Sequence, residues 1–349
     1  MIGRANRAVA LFDGVLFGIA NAEVLLSPLT TQEAVLSSKI EGTQATLGEV
    51  LEFEAGAPSG QDERQQDIHE ILNYRKALRE AEQELKTRPF TLNLLRCLHA
   101  ILLDSVRGLD KSRGQFRRDQ NWIGAPGTSI DQAVFVPPSP LILQECLNRW
   151  EAYYHATEVD PLVQLAVLHA QFEIIHPFLD GNGRLGRIII PLFLHEKGLL
   201  SRPMFYLSDW LEARRDEYVR LLRELGQSEG SWNRWIIFFL TGMEQQAAAN
   251  TEKARAIIAL YNRLKAQIID LTHSQYGIPL LDQIFNRPVF RSTQLQFTPR
   301  SPSRAAIAKL LGTLNKAGIV KIIKKGSGRR PAVYAFTELI NLSEGREVL

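Results

Sequence analysis

Cysteine is scarce. The 349 residues hold only two, Cys97 and Cys146, far apart in helix-like segments, which gives no disulfide framework and no thiolate metal spacing. Reduced, buried thiols are expected. Long apolar runs are missing as well: no stretch reaches the ~18–20 residues of a membrane-spanning helix. Arg4 and Arg7 precede no secretory apolar core with a cleavage site. A membrane class and export are therefore not indicated, and the cytoplasm is the expected compartment. With 45% hydrophobic and 23% charged residues the composition is that of an ordinary globular protein, not of a disordered chain. The length allows two or three domains.

Net charge is low at +3, but its distribution is uneven. No acidic residue occurs between Asp282 and Glu338, whereas Arg287, Arg291, Arg300, Arg304, Lys309, Lys316, Lys321, Lys324, Lys325, Arg329 and Arg330 are all basic. Within this cationic stretch Ser303 is placed to cap a helix carrying Ala306, Ile307, Leu310, Leu311 and Leu314, ended by Gly318. Strands are expected over 319–323 and 332–336 about a turn at Gly326-Ser327-Gly328. The order of helix and hairpin resembles a winged helix, with Arg304, Lys309 and Lys316 on its recognition helix. DNA and an acidic protein are the partners this charge suits.

Chemistry concentrates in His176-Pro177-Phe178-Leu179-Asp180-Gly181-Asn182-Gly183-Arg184-Leu185-Gly186-Arg187. Asp160-Pro161 starts a helix that is apolar almost all round through Ile175 and delivers His176 at its end. His169, within that helix, reads as a core histidine. Gly181 and Gly183 let successive backbone amides face one anion at the start of the next helix. Arg184 and Arg187, three apart, share a face of it. Asp180 is a hard oxygen ligand suited to Mg²⁺ alongside phosphates, and His176 is the natural proton acceptor near neutral pH. Each feature alone fits a capped helix connection with solvated arginines. Together they describe a polyphosphate, a metal and a base.

These twelve residues resemble the signature of the Fic family of protein adenylyltransferases, H-P-F-x-[D/E]-G-N-G-R-x-x-R, at every defined position. Upstream, Ser37-Ser38-Lys39-Ile40-Glu41-Gly42 resembles the family's inhibitory motif, [S/T]-x-x-x-E-[G/N], in the class whose inhibitory helix precedes the core. The resemblance implies a mainly α protein: a Fic-type helical bundle with a small β-hairpin flap, followed by the winged-helix-like α+β module. The divisions expected are 1–88 for the N-terminal helical region, 89–240 for the catalytic core and 241–349 for a linker helix and the C-terminal module. It further implies transfer of AMP from ATP, with Mg²⁺ on Asp180, to a Ser, Thr or Tyr hydroxyl of a target protein, with self-modification and a homodimer among the partner expectations. His176 would be the base. Gly181, Asn182, Gly183, Arg184, Leu185, Gly186 and Arg187 would bind nucleotide together with Ile123, Gly124 and Tyr218, and Ser37 and Glu41 would inhibit by occupying Arg187. Two alternatives stay open: removal of AMP or transfer of another phosphate-containing group at the same site, and a DNA-binding regulator that only senses nucleotide.

Around these motifs the sequence predicts a turn at Ser27-Pro28, a helix capped by Thr31, and a loop over 55–62. A helix follows over 67–85, with Ile68, Ile71, Leu72, Tyr74 and Leu78 inward and its charges solvated, and another over 92–102. Extended pieces at 121–124 and 133–136, closed by Pro137-Pro138, read as the flap. Phe178 should pack inward, a helix over 188–194 should bend or break at Pro191, and Trp232 to Trp235 should open a further helix before one over 244–272.

Overall fold

The computed structural model describes residues 1–19, 21–56, 62–104, 111–124, 127, 129–297, 301–327 and 331–347. The loop centre at 57–61, part of the flap turn, Gly328 of the wing turn, and Arg300, Arg329 and Arg330 lie outside the described residues. In chain order the helices are α1 (Ile2–Phe17), α2 (Ala22–Leu25), α3 (Ser27–Ile40), α4 (Leu47–Glu54), α5 (Asp62–Glu84), α6 (Leu92–Leu102), α7 (Pro140–His155), α8 (Pro161–Ile175), α9 (Asn182–Glu196), α10 (Ser208–Glu212), α11 (Arg215–Glu224), α12 (Ser231–Thr272) and α13 (Gly277–Asn286). Strand β1 (Val289–Arg291), α14 (Arg304–Lys316), β2 (Lys321–Lys324), β3 (Val333–Ala335) and α15 (Thr337–Glu344) complete the chain. Among the described residues no helix is long and apolar enough to cross a membrane.

The chain packs as two compact units: residues 1–13, 36–43 and 69–248 form one, and 14–35, 44–68 and 249–349 the other. At the centre of the first lies α8. Asp160 caps it by accepting the Leu162 and Val163 amides on Oδ1 at 3.0 and 2.9 Å, with Pro161 in the first turn. Its apolar surface is buried on several sides, Leu162, Leu165, Leu168 and Phe172 all being inaccessible. The indoles of Trp150 and Trp235 donate to the Leu168 and Ala166 carbonyls at 2.9 and 2.8 Å, fixing α7 and α12 against it. Packed on α8 is α9, which continues through Pro191 without a break, one of the two outcomes expected there. The buried surroundings from Leu185 to Leu194 outweigh the lost amide donor.

Two boundaries differ from the sequence reading. Ser27-Pro28 is the first turn of α3 and not a turn before it, because proline is tolerated where the amide has no intrahelical partner anyway. Residues 231–272 form one helix, and among the described residues the flap shows one antiparallel bridge, Ile123 with Phe135, flanking a 3₁₀ turn at Ile130–Gln132. Pro137 and Pro138 supply no amides with which to extend it.

The second unit carries a three-stranded antiparallel sheet in the order β1-β3-β2, with Phe290 opposite Tyr334 and Ile322 opposite Tyr334 on the other side. Its β1 escaped the sequence reading, being three residues long and paired only with a strand over 40 positions away. Ser303 caps α14 by accepting the Ala306 amide at 3.2 Å, and α13 precedes the sheet, so the helix and strand order is winged-helix-like.

Candidate active site

The end of α8 places His176 in a left-handed backbone conformation, φ 46° and ψ 62°, which non-glycine residues rarely adopt. Its Nδ1 lies 3.3 Å from the Glu173 carbonyl. A carbonyl only accepts, so Nδ1 carries the proton and Nε2 keeps its lone pair. Burial lowers the imidazole to about 4, against the raising effects of the Glu173 carbonyl, Glu41 and Asp180, so the ring is neutral at pH 7. The backbone here is held by a side chain the sequence did not single out. Arg117 is buried and donates to the carbonyls of His176 at 3.0 Å, Ile175 at 3.3 Å and Pro138 at 2.5 Å, while its own amide bonds Pro177. One guanidinium thus ties the base to the foot of the flap.

The loop that follows is closed by Asn182, whose side chain accepts the Phe178 amide and donates to the Phe178 carbonyl, both at 2.9 Å. Phe178 is fully buried, as expected, and stacks on His99 with centroids 3.8 Å apart. His99 accepts the Gly114 amide on Nδ1 at 2.8 Å, so its Nε2–H donates to the Asp180 carbonyl at 3.1 Å. Burial lowers His99 to about 4, leaving it neutral. Gly181 opens α9 at φ 78°, a conformation suited to glycine. Its amide donates to Asp180 Oδ1 at 2.5 Å.

Both arginines of the signature are buried and both are claimed by carboxylates. Arg184 donates to Glu70 at 2.8 Å and to Asp180 Oδ1 at 3.3 Å. Glu70 sits on the part of α5 read as a solvated face; it is in fact buried and takes this arginine. Arg187 donates from Nε to Ser37 Oγ at 2.8 Å, and from a terminal nitrogen to the Ser37 carbonyl at 2.9 Å and Glu41 Oε1 at 2.6 Å. Burial would raise the Glu41 carboxyl, but the charge and hydrogen bond of Arg187 outweigh it and hold the group low. Glu41 lies one residue beyond α3, in a turn where its amide and that of Thr43 both bond the Ser38 carbonyl and Gly42 takes φ 109°. Arg215 supports that turn by donating from Nε to the Ile40 carbonyl at 2.9 Å.

Glycine makes room for this arrangement. A Cβ on Gly183 would stand 2.2 Å from Glu41 Oε1, and one on Gly186 would stand 2.3 Å from Glu173 Oε1. The resulting cavity of about 490 Å³ is lined by His176, Glu41, Gly183, Arg187, Ile123, Gly124 and Tyr218 among the expected residues, with Trp122, Phe135, Glu173, Arg215 and Arg223 in addition. That volume suits a small organic ligand. Other expected contacts lie elsewhere: Leu185 is fully buried in the core, and Gly186 faces α8, its carbonyl meeting His169 at 3.2 Å. Tyr218 lines the cavity, and its hydroxyl donates to His169 Nε2 at 2.9 Å. His169 is the core histidine expected, lowered to about 3 by burial. Of the residues missed, Glu173 carried a signal: it is the one charged residue in α8. Glu70, Arg117 and Arg215 carried none, since each acts on a segment distant in sequence.

Among the described residues no cluster of three or more His, Cys, Asp or Glu side chains could hold a metal unaided. Asp180 nevertheless fits a divalent cation shared with a nucleotide. Its side chain is 45% exposed, and its hydrogen bonds described above all fall on Oδ1, so Oδ2 remains a hard oxygen donor. Mg²⁺ is commonly held by one or two carboxylates, with phosphates supplying further ligands.

Comparison with known proteins agrees with this geometry. Residues 1–83 match the Fic/DOC family N-terminal model and residues 89–194 the Fic/DOC family model. A probable protein adenylyltransferase of Aquifex aeolicus is 24% identical over 314 residues, covering 87% of this chain and 82% of that protein. The protein adenylyltransferase Fic of Drosophila virilis is 30% identical over 167 residues, 46% of this chain, which spans only 31% of the fly protein. Among solved structures, a Fic family protein of Desulfovibrio desulfuricans aligns with TM-score 0.56 at 19% identity over 97% of each chain. A Fic domain containing signaling protein of Bacteroides thetaiotaomicron gives 0.58 at 20% identity, over 73% of this chain and 97% of that one. The two family models together take in more than half of the sequence, and with the fold and the signature in accord the chain belongs to the Fic/DOC family.

Proposed function

We propose that the chain is a protein adenylyltransferase that holds itself in check through Glu41. One observation carries the reading: a neutral His176, the open start of α9 and an Arg187 occupied by Glu41 line a single cavity. The first amides of α9 lack intrahelical acceptors, as at any helix start, and suit the phosphates of ATP. A Ser, Thr or Tyr hydroxyl of a target, laid along the bridge at Ile123 and Phe135, gives its proton to His176 Nε2 and attacks the α-phosphorus. The new O–P bond forms as the bond to the β-phosphate oxygen breaks, and pyrophosphate leaves. Arg184 and Arg187 set positive charge under the transferring group. Asp180 would hold Mg²⁺, which when bound offsets phosphate charge. The cytoplasm, which supplies ATP and protein targets, is the compartment this reading assigns. Labelling with ATP carrying radioactive α-phosphorus tests it. Slow self-modification is expected from the wild type, and none from His176→Ala. Undiminished label in His176→Ala would remove the base from the scheme.

A separate observation favours a second role, in the other unit. Along α14, Arg304, Lys309 and Lys316 are exposed together with the small Ala305 and Ala308, and among the described residues none of the three cations has an ion-pair partner. A 13-residue helix is ~20 Å long and enters a major groove readily. We infer that this face binds double-stranded DNA. Anisotropy of a labelled duplex should show affinity for the full chain that falls steeply with salt and drops in Lys309→Glu. Binding that ignores both would point away from DNA.

A further inference from the structure

Two carboxyl groups stand over the glycine face of α9. Gly183, Gly186 and Arg187 share that face, being three and four residues apart. Glu41 fills the space over Gly183 and Glu173 the space over Gly186. Their circumstances differ. Glu41 is bonded to Arg187 at 2.6 Å and is 38% exposed. Glu173 is nearly enclosed, with 12% of its side chain exposed, and its Oε1 is buried without a hydrogen-bond donor. His169 Nε2, 4.0 Å from it, has no proton to give, because it already accepts from Tyr218. The charged and titratable groups facing Glu173 are therefore Arg187 on α9, Glu41 beyond α3, Tyr218 on α11 and His169 on its own helix.

We propose that Glu173 is a positioning residue for Arg187, the second carboxyl group with a claim on its charge, and that nucleotide binding in this cavity is accompanied by proton uptake at Glu173. The inference rests on the cavity being the ATP site. One guanidinium cannot balance Glu41, Glu173 and a phosphate together. A buried oxygen with no donor suits the carbonyl of a neutral acid and opposes an anion. With Glu41 seated, burial raises Glu173 to about 7, Glu41 adding to the rise and Arg187 opposing it. Withdrawal of Glu41 removes one repulsion, so Glu173 ionises more readily and neutralises Arg187 itself. A phosphate arriving there restores the repulsion, and Glu173 takes a proton from solvent as it binds.

The test is ATP affinity of the full chain, measured calorimetrically between about pH 6 and 8 with excess Mg²⁺. In Glu41→Gly affinity should fall as pH rises, by at most about tenfold per pH unit for one linked proton. In Glu41→Gly/Glu173→Gln that fall should disappear and ATP should bind more tightly at the alkaline end. The nucleotide's own titration is common to both proteins and cancels in their ratio. Titrations of Glu41→Gly in two buffers of unlike ionisation enthalpy give proton uptake directly, without relying on the folding of the double variant. Equal pH dependence in the two proteins, or no uptake, would overturn this proposal alone. Absence of ATP binding to Glu41→Gly at every pH would overturn the nucleotide site and this proposal with it.

Discussion

Replacing Glu41 by glycine is the most direct perturbation of the site, and its size follows from the contacts of Arg187. The guanidinium loses one charge-assisted hydrogen bond, of 2.6 Å, and keeps two, to Ser37 Oγ and the Ser37 carbonyl. It is therefore not left as a buried, unpaired charge. Such a bond contributes ~1.5–3 kcal/mol, and Glu41, at 38% exposed, belongs in the lower part of that range, ~1.5–2 kcal/mol. Because Glu41 must leave before a phosphate oxygen can take its place, that energy is subtracted from ATP binding in the wild type. The variant should bind ATP about ten- to thirtyfold more tightly. Calorimetric titration in a His176→Ala background measures this without turnover. Glu41→Gln, which keeps an acceptor but no charge, should fall between. A Glu41→Gly affinity within about twofold of its parent would show that Glu41 and the nucleotide do not compete, contrary to the mechanism.

Four further outcomes are expected. Burial holds His99, His169 and His176 at about 4, 3 and 4 in the folded chain, so below the ordinary histidine value the unfolded chain binds more protons at these sites. Glu173, raised to about 7, acts in the opposite sense over part of that range. With three groups against one, the melting temperature should fall on acidification from about pH 6.5 to 4.5, and a flat or rising profile would contradict the burial of the histidines. Arg117→Ala leaves the His176 and Pro138 carbonyls without their donor and should lower the rate of self-modification while changing ATP affinity little; equal losses in both would show that it serves the nucleotide rather than the base. Gly186→Ala drives a methyl group to 2.3 Å from Glu173 Oε1 and 3.3 Å from His169 and Phe172, and should cost ~1–3 kcal/mol in denaturant melts. Gly312→Ala, on α14 with nothing within 4 Å, should instead stabilise by ~0.5–1 kcal/mol.

What the sequence made legible was local. Asp160-Pro161 announced α8, the apolar run over 92–102 gave α6 at its observed limits, and the turn glycines and arginines of 176–187 announced the start of α9. The pairing of Glu41 with Arg187, 146 residues apart, was legible only through resemblance to a family. Glu70 was misread because helical periodicity says which residues share a face, not what that face meets; a buried arginine 114 positions on decides it. Of the bend or break expected at Pro191 the break does not occur, since a fully buried helix tolerates a missing amide donor that an isolated one would not. Arg117 gave no signal at all, its partners being backbone carbonyls, which every sequence has.

The clearance at Gly183 makes the site unequal under mutation. Any side chain there collides with Glu41 and Arg187, yet on the proposed mechanism the same space must also admit phosphate, so a change on α9 that evicts the inhibitor obstructs the substrate as well. Changes at Ser37, Glu41 or Gly42 alter the inhibitory turn, whereas Arg215, which supports that turn, also lines the cavity. Spontaneous hyperactive forms of this protein should therefore arise on one side of the contact, and a selection for them would return substitutions before residue 45, leaving 183 and 187 untouched.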